Sequence, residues 1–76
     1  MKHNFNLIPD QYDYNIANNR LIIHHDLNFI AIDIDLIKRI EDCFSTISII
    51  VESDNVCIWY SFYKKVKLVH ASVIKL

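Results

Sequence analysis

The chain contains no glycine in its 76 residues, although an average composition would supply about five. Glycine reaches positive φ without a steric penalty and lets a ligand lie directly against the backbone. Phosphate-binding loops, dinucleotide-binding turns, calcium loops and the nucleophile turn of α/β-hydrolases all depend on glycine at fixed positions. The absence of glycine therefore argues against each of these sites and against the functions that they serve.

Cysteine is also scarce, since Cys43 and Cys57 are the only two. Two cysteines are too few for a disulfide framework, and these two lack the close spacing of a zinc or redox pair. We expect both to be buried free thiols in a protein of the reducing cytoplasm.

Long apolar runs are absent as well. The richest run, residues 29–37, already contains Asp33 and Asp35, whereas a membrane-spanning helix needs about 18 or more consecutive apolar residues. Only two adjacent apolar residues precede Pro9, so the apolar stretch of a secretion signal is missing. The sequence predicts a cytoplasmic protein with no membrane association.

Hydrophobic residues, in contrast, are in excess, because they make up 53% of the chain and include 14 isoleucines. A chain this short has room for one domain, and such a domain buries only about 60–65% of its unfolded surface. Some apolar side chains must therefore stay at the surface or contact a partner. Monomers rarely expose apolar patches larger than a few hundred Å². The excess favours a homo-oligomer, such as a homodimer, or a larger protein partner.

Charge is divided unevenly along the chain. Residues 1–54 carry four basic residues and all nine acidic ones, whereas residues 55–76 carry four lysines and no acid. The net charge of −1 therefore conceals an acidic first part and a basic last part.

The order of apolar and polar residues predicts an α+β fold with the element order ββαβββ. Residues 1–19 lack sustained periodicity but contain several aromatic side chains, so we expect an irregular N-terminal arm packed on a sheet. Two apolar runs separated by a polar cluster predict a hairpin over 20–32. Residues 34–45 show apolar side chains at helical spacing with charged residues opposite them. We expect this helix to cover one face of the sheet.

Three strands are predicted to follow the helix and to complete an antiparallel sheet of four to five strands. The first covers residues 46–52, and the second, 56–63, is apolar or aromatic on both faces, as expected for a central strand. The third covers 66–74, and the lysines at 67 and 75 suit a sheet edge protected by charge. Residues 1–76 would form a single domain.

No residues have the arrangement that catalysis or metal binding requires. His24 and His25 are adjacent, and neighbouring side chains of a strand point to opposite faces, so the two cannot readily bind one ion. Cys43 and Cys57 fall at positions expected in the core, where a thiol is hidden from substrate. We therefore expect no catalytic residue, no metal ion and no cofactor.

Two sets of residues are candidates for contact with a protein. On the predicted strand 56–63, Trp59 and Tyr63 share one face, and both belong to residue types enriched at interface hot spots. The N-terminal arm could equally cover that face. The second set consists of acidic residues on or beside the predicted helix, which could meet the basic groove of a nucleoprotein: Asp33, Asp35, Glu41 and Asp42.

The basic C-terminal third offers an alternative. Lys64, Lys65 and Lys67 follow an aromatic strand, and lysines beside aromatic rings are the elements of a surface for single-stranded nucleic acid. The negative net charge and the presence of only two arginines rank this interpretation below protein binding.

The composition adds an argument from the coding sequence. Isoleucine, asparagine, lysine, tyrosine and phenylalanine, whose codons are rich in A and T, total 35 residues, whereas glycine, alanine, proline and arginine total six. Small proteins with this bias are common among phage and mobile-element products that block a larger host protein. We therefore expect a non-catalytic inhibitor or antagonist of the anti-CRISPR, anti-restriction, immunity or antitoxin type. Nucleic-acid binding and a structural homo-oligomer are the alternatives.

Overall fold

The computed structural model describes residues 3–76, and these residues are nearly all β. The seven strands are β1 Asp13–Ala17, β2 Arg20–His25, β3 Asn28–Asp33, β4 Ile37–Asp42, β5 Thr46–Ser53, β6 Val56–Tyr63 and β7 Val69–Lys75. They form two antiparallel sheets, of which one has the order β1–β2–β3 and the other β4–β5–β6–β7. No helix within residues 3–76 exceeds a single 3₁₀ turn, and none is long and apolar enough to cross a membrane. The predicted α+β fold, with one helix on a single sheet of four to five strands, is therefore wrong.

The predicted helix over 34–45 is replaced by one 3₁₀ turn, Ile34–Leu36, and by strand β4. Asp33 caps the turn, because its carboxylate accepts a hydrogen bond from the Asp35 N–H at 3.1 Å. The capped element ends after this one turn.

A β-bulge explains why the sequence resembles a helix here. Ile37 pairs with Val51 and Arg39 pairs with Ile50, so β4 has one residue more than β5 between these two pairs. The extra residue brings Ile37 and Ile40, which are three positions apart, onto the same core-facing side of one strand. A bulged strand thus reproduces the i, i+3 spacing that otherwise indicates a helix.

The other predicted strands agree closely with those observed. The hairpin over 20–32 corresponds to β2 and β3, and the strands over 46–52 and 56–63 correspond to β5 and β6. β7 lies at a sheet edge, but it begins at Val69 rather than at residue 66. The intervening loop is held by the N-terminal segment instead of pairing with β6.

The two sheets face each other across one hydrophobic core. Because side chains alternate along a strand, each sheet sends every second residue inward. The buried residues among these are Leu21, Ile23 and Ile32 from the three-stranded sheet and Ile37, Ile47, Ile49, Val51 and Phe62 from the four-stranded sheet. Burial of each such side chain contributes roughly 1.5–3 kcal/mol, so the facing sheets stabilise each other.

The N-terminal segment closes one end of this core. Phe5 and Ile8 are buried, and the ring of Tyr12 packs edge-on against Phe62 with 5.4 Å between the ring centroids. The segment expected to be irregular over 1–19 ends in strand β1, and residues 1 and 2 lie outside the described part. Its aromatic side chains pack between the sheets and not on the face that carries Trp59.

Asparagine and aspartate occupy the left-handed positions that glycine takes in most proteins. The residues with positive φ are Asn18, Asn19, Asp26 and Asp54, with φ between 46° and 59°. All four lie in the tight turns that join neighbouring strands. Short polar side chains tolerate this conformation better than other non-glycine residues do, which is how a glycine-free chain forms these hairpins.

Candidate functional site

The four-stranded sheet turns one side away from the core, and we call this side the Trp59 face. Its central side chains alternate with the core-facing ones along β5, β6 and β7: Ser48, Ile50, Cys57, Trp59, Ser61 and Ser72. Trp59 and Tyr63 lie on this face, on the side that the sequence pattern indicated. Both side chains are half-buried.

One row of the Trp59 face crosses all four strands. Arg39, Ile50, Trp59 and Ser72 are successive cross-strand neighbours in β4, β5, β6 and β7. The Arg39 guanidinium carbon lies 5.5 Å from the centroid of the Trp59 ring, within the range of a cation–π interaction. Ile50, between these two large side chains, is only 1% exposed. Arg39 and Ile50 therefore hold the Trp59 ring on the side that faces β4 and β5.

Hydroxyl and thiol groups lie beside this row. The Ser48 hydroxyl oxygen is 3.4 Å from that of Ser61 and 3.8 Å from the Cys43 sulfur. Ser48 is almost fully buried, and Ser61 is partly exposed. Short side chains therefore lie next to the Trp59 ring on this face.

Ion pairs border the face along β4. The Lys38 ammonium lies 2.8 Å from a Glu52 carboxylate oxygen, and Arg39 pairs with Glu41. These side chains are partly exposed, so each pair contributes less than about 1 kcal/mol to stability. Their main effect is a charged border along one side of the face, and a polar border beside an apolar centre is a feature of many protein interfaces.

The four acidic residues expected to act together are separated in the fold. Asp33 and Asp35 lie just before β4, whereas Asp42 ends it, and a strand of six residues spans about 20 Å. Asp35 accepts a hydrogen bond from the Asn19 side-chain amide at 2.9 Å, and Asp42 pairs with Lys64. Glu41 pairs with Arg39 on the Trp59 face. The predicted single acidic surface is therefore not formed, because the helix that would have carried it is absent.

The three lysines of the nucleic-acid alternative lie in or next to the loop between β6 and β7. Lys64 donates hydrogen bonds to the Asp42 carboxylate and to the Cys43 carbonyl at 2.7 Å, whereas Lys65 and Lys67 are exposed. A mainly apolar cavity of about 410 Å³ is lined by Phe44, Ser45, Tyr63, Lys64, Lys65 and Val66. Lys64 thus holds two loops together and is not fully available to a phosphate.

The arrangements closest to catalytic or metal sites remain incomplete within residues 3–76. His24 points to the outer side of the three-stranded sheet and lies beside Phe29, whereas the neighbouring His25 points to the other side. No group of three or more His, Cys, Asp or Glu side chains in this part of the chain is placed to hold a metal ion. The His70 ring nitrogen lies 3.2 Å from the Ser72 hydroxyl, but no carboxylate among these residues hydrogen-bonds to the imidazole. Such a pair has neither an orienting acid nor an oxyanion site.

The sequence pattern missed two members of the Trp59 face. Helical spacing over 34–45 would place Arg39 on a polar side opposite the apolar residues, and strict alternation over 46–52 would put Ile47, Ile49 and Val51 on the apolar face without Ile50. The Ile49–Ile50 doublet interrupts the alternation of β5 and is the signal that both of its faces are apolar. No sequence signal could have paired Ile50 with Trp59, because their register depends on the turn between β5 and β6.

Comparison with known proteins gives no match for this chain, whether to a protein-family model, to a curated protein or to a solved structure.

Proposed function

We propose that this protein is a non-catalytic binding module that attaches to a larger protein through the Trp59 face. The observation that supports this function is the central row of that face, in which a half-buried tryptophan lies between a buried isoleucine and an exposed sheet edge. Tryptophan and arginine are the residue types most enriched at interface hot spots, and here Arg39 stacks on Trp59. The ion pairs along β4 add a charged border on one side of this centre, as is found at the rim of many interfaces.

The mode of action that fits this surface is occlusion. A face of four short strands is flat, so it covers a region of a partner without enclosing a substrate. Together with the A- and T-rich codon bias of the composition, this favours an inhibitor or antagonist encoded by a phage or mobile element, acting in the cytoplasm on a larger host protein or nucleoprotein.

Affinity capture from host lysate with three forms of the protein tests this proposal. Trp59→Ala removes the centre of the face, and we expect recovery of the wild-type partner to fall about tenfold or more. Phe29→Ala is the matched control, because Phe29 is 63% exposed on the outer side of the other sheet. We expect this variant to recover the same partner undiminished.

Two additions to the capture make its outcome decisive. Thermal unfolding followed by circular dichroism verifies that each variant is folded before binding is compared. Nuclease treatment of the lysate separates protein binding from nucleic-acid binding, since a partner held through Lys65 and Lys67 on nucleic acid would be released. Equal recovery by wild-type and Trp59→Ala protein, or release by nuclease, would refute the proposal.

Nucleic-acid binding has weaker support as a second function. The aromatic side chains that line a cavity together with Lys64 and Lys65 are Tyr63 and Phe44, and Phe44 is 90% exposed. Lys64 is engaged by Asp42, which leaves Lys65 and Lys67 as the exposed cations of this loop within the described residues. Two lysines neutralise few phosphates, so any such binding would be weak at physiological salt.

A further inference from the structure

Strand β7 ends the four-stranded sheet, and no other strand within residues 3–76 pairs with its outer edge. Val73 is 65% exposed on the core-facing side, and Ile74 is 50% exposed on the Trp59 face. The cause is geometric, since a three-stranded sheet cannot cover all of a four-stranded one. β7 is therefore unpartnered at its edge and largely uncovered on both of its faces.

The direction of the backbone groups along β7 follows from its pairing with β6. The Leu68 carbonyl accepts a hydrogen bond from the Tyr63 N–H at 3.0 Å, and the Leu76 N–H donates to the Asn55 carbonyl at 2.7 Å. In an antiparallel pair the backbone groups alternate between the two edges of a strand. The even-numbered residues of β7 therefore bond to β6, and the odd-numbered ones present their N–H and C=O groups outward: Val69, Ala71, Val73 and Lys75.

The side chains of β7 do not protect this edge. Its one lysine, Lys75, is the last residue of the strand, and from Val69 to Ile74 there is no proline and no acidic, lysine or arginine residue. The opposite edge of the same sheet, β4, contains Lys38 and a bulge, both of which discourage pairing with another strand. Of the two edges of this sheet, only β7 is suited to receive a further strand.

We propose that β7 of a second copy of this chain pairs antiparallel with β7 around a two-fold axis at Ser72. This register places Ala71 opposite Val73 of the second copy and Val69 opposite Lys75, so every outward backbone group of the strand finds a partner. It forms about eight inter-chain hydrogen bonds, two for each facing pair of odd-numbered residues. The result is one continuous eight-stranded sheet.

The side chains are complementary in this register. The exposed Val73 faces the small Ala71, and the exposed Ile74 faces His70. The lysines at position 75 lie at opposite ends of the new strand pair, so like charges do not meet. A shift of two residues in either direction leaves outward backbone groups at one end of each strand unpaired. Only a two-fold axis at Ser72 pairs all four outward-facing residues of the strand.

The interface is small, and this determines how the dimer behaves. A single pair of seven-residue strands buries less surface than the about 1,600 Å² of a standard interface. We therefore expect an equilibrium between monomer and dimer in the micromolar range. Because Ser72 is the cross-strand neighbour of Trp59, the two Trp59 residues lie about 14 Å apart on the same side of the joined sheet. The dimer thus presents two Trp59 faces side by side, independently of whether these faces bind a foreign protein.

Solution mass tests the dimer directly. Light scattering during size-exclusion chromatography, over a wide range of protein concentration, is expected to show a rise from the 9.0 kDa monomer to twice that mass. Ala71→Pro removes an outward N–H without removing a hydrogen bond to β6, since proline is tolerated on the solvent side of an edge strand. We expect this variant to remain monomeric with an unchanged circular dichroism spectrum. A wild-type monomer at every concentration, or a dimer that persists in folded Ala71→Pro protein, would overturn the proposal.

Disulfide formation tests the register. In Ser72→Cys protein the two new thiols face each other at a non-hydrogen-bonded position, where Cα atoms are about 4.5 Å apart and a disulfide fits. We expect mild oxidation to link most chains. The matched control is His70→Cys, whose two thiols would be about 13 Å apart along the strands. The wild-type protein, with its native Cys43 and Cys57, sets the background. Equal cross-linking of Ser72→Cys and His70→Cys protein, or none of Ser72→Cys above background, would contradict the register.

Discussion

Tyr12 fastens the N-terminal segment to the loop before β7. Its hydroxyl oxygen lies 2.8 Å from the carbonyl oxygens of Tyr63 and Leu68, lies 3.0 Å from that of Val66, and accepts a hydrogen bond from the Leu68 N–H. The hydroxyl has one proton, so at any moment it donates to one of these carbonyls while it accepts from the Leu68 N–H. Burial raises the pKa of the Tyr12 phenol above its ordinary value.

Replacement of Tyr12 by phenylalanine tests this contact. We expect Tyr12→Phe to lower the free energy of unfolding by about 1–2 kcal/mol, because backbone groups in a partly buried site lose their partner. The control is Tyr14→Phe, since the Tyr14 hydroxyl makes no hydrogen bond within residues 3–76. We expect this control to change stability by less than about 0.5 kcal/mol. Urea unfolding of the three proteins at neutral pH provides the measurement.

The raised pKa of Tyr12 also predicts how the stability difference between wild-type and Tyr12→Phe protein changes with pH. A phenol whose pKa is raised by folding keeps its proton in the native state while the unfolded state loses its own. Stability from this group is therefore complete below about pH 10 and falls as pH rises from there through the folded pKa. Unfolding at about pH 8 and about pH 10.5 should show a larger loss for wild-type protein than for Tyr12→Phe. An equal loss in both proteins would show that Tyr12 does not contribute.

At the scale of elements, β4 is the strand for which the sequence pattern and the structure differ most. The hairpins over β2–β3 and β5–β6 could be read from the sequence, because their apolar runs are separated by short polar turns that carry Asp or Asn. β4 could not, since the bulge at Lys38 replaces a two-residue period with a three-residue one. A local pattern does not indicate where a bulge lies when the partner strand is unknown.

Amide hydrogen exchange distinguishes a strand from a helix at this position. The Cys43 N–H donates to the Thr46 carbonyl at 2.9 Å, and the cross-strand register then directs the Glu41 N–H towards β5 and those of Ile40 and Asp42 away from it. We expect slow exchange at Glu41 and Cys43 and fast exchange at Ile40 and Asp42, measured by NMR. A helix would protect consecutive amides, so slow exchange at all four positions would contradict the strand.

At the scale of the whole molecule, two sheets of unequal size determine which surfaces are available. The smaller sheet and the N-terminal segment cover most of the inner side of the larger one, while the Trp59 face and β7 lie outside that contact. The sequence indicated that Trp59 and Tyr63 share one face of a strand, because that inference needs only the pattern within the strand itself. It could not indicate that Asp33 and Asp42 lie at opposite ends of β4, or that Arg39 lies over Trp59, because those relations depend on long-range pairing.

The most direct test of the proposed binding function is NMR mapping of ¹⁵N-labelled protein with the partner recovered by capture. We expect the largest changes in amide signals at Ile50, Trp59 and Ser61, with none at Asn15 and Ile22 on the outer side of the other sheet. Changes confined to the three-stranded sheet, or to the lysine loop before β7, would contradict the assignment of the Trp59 face as the binding surface.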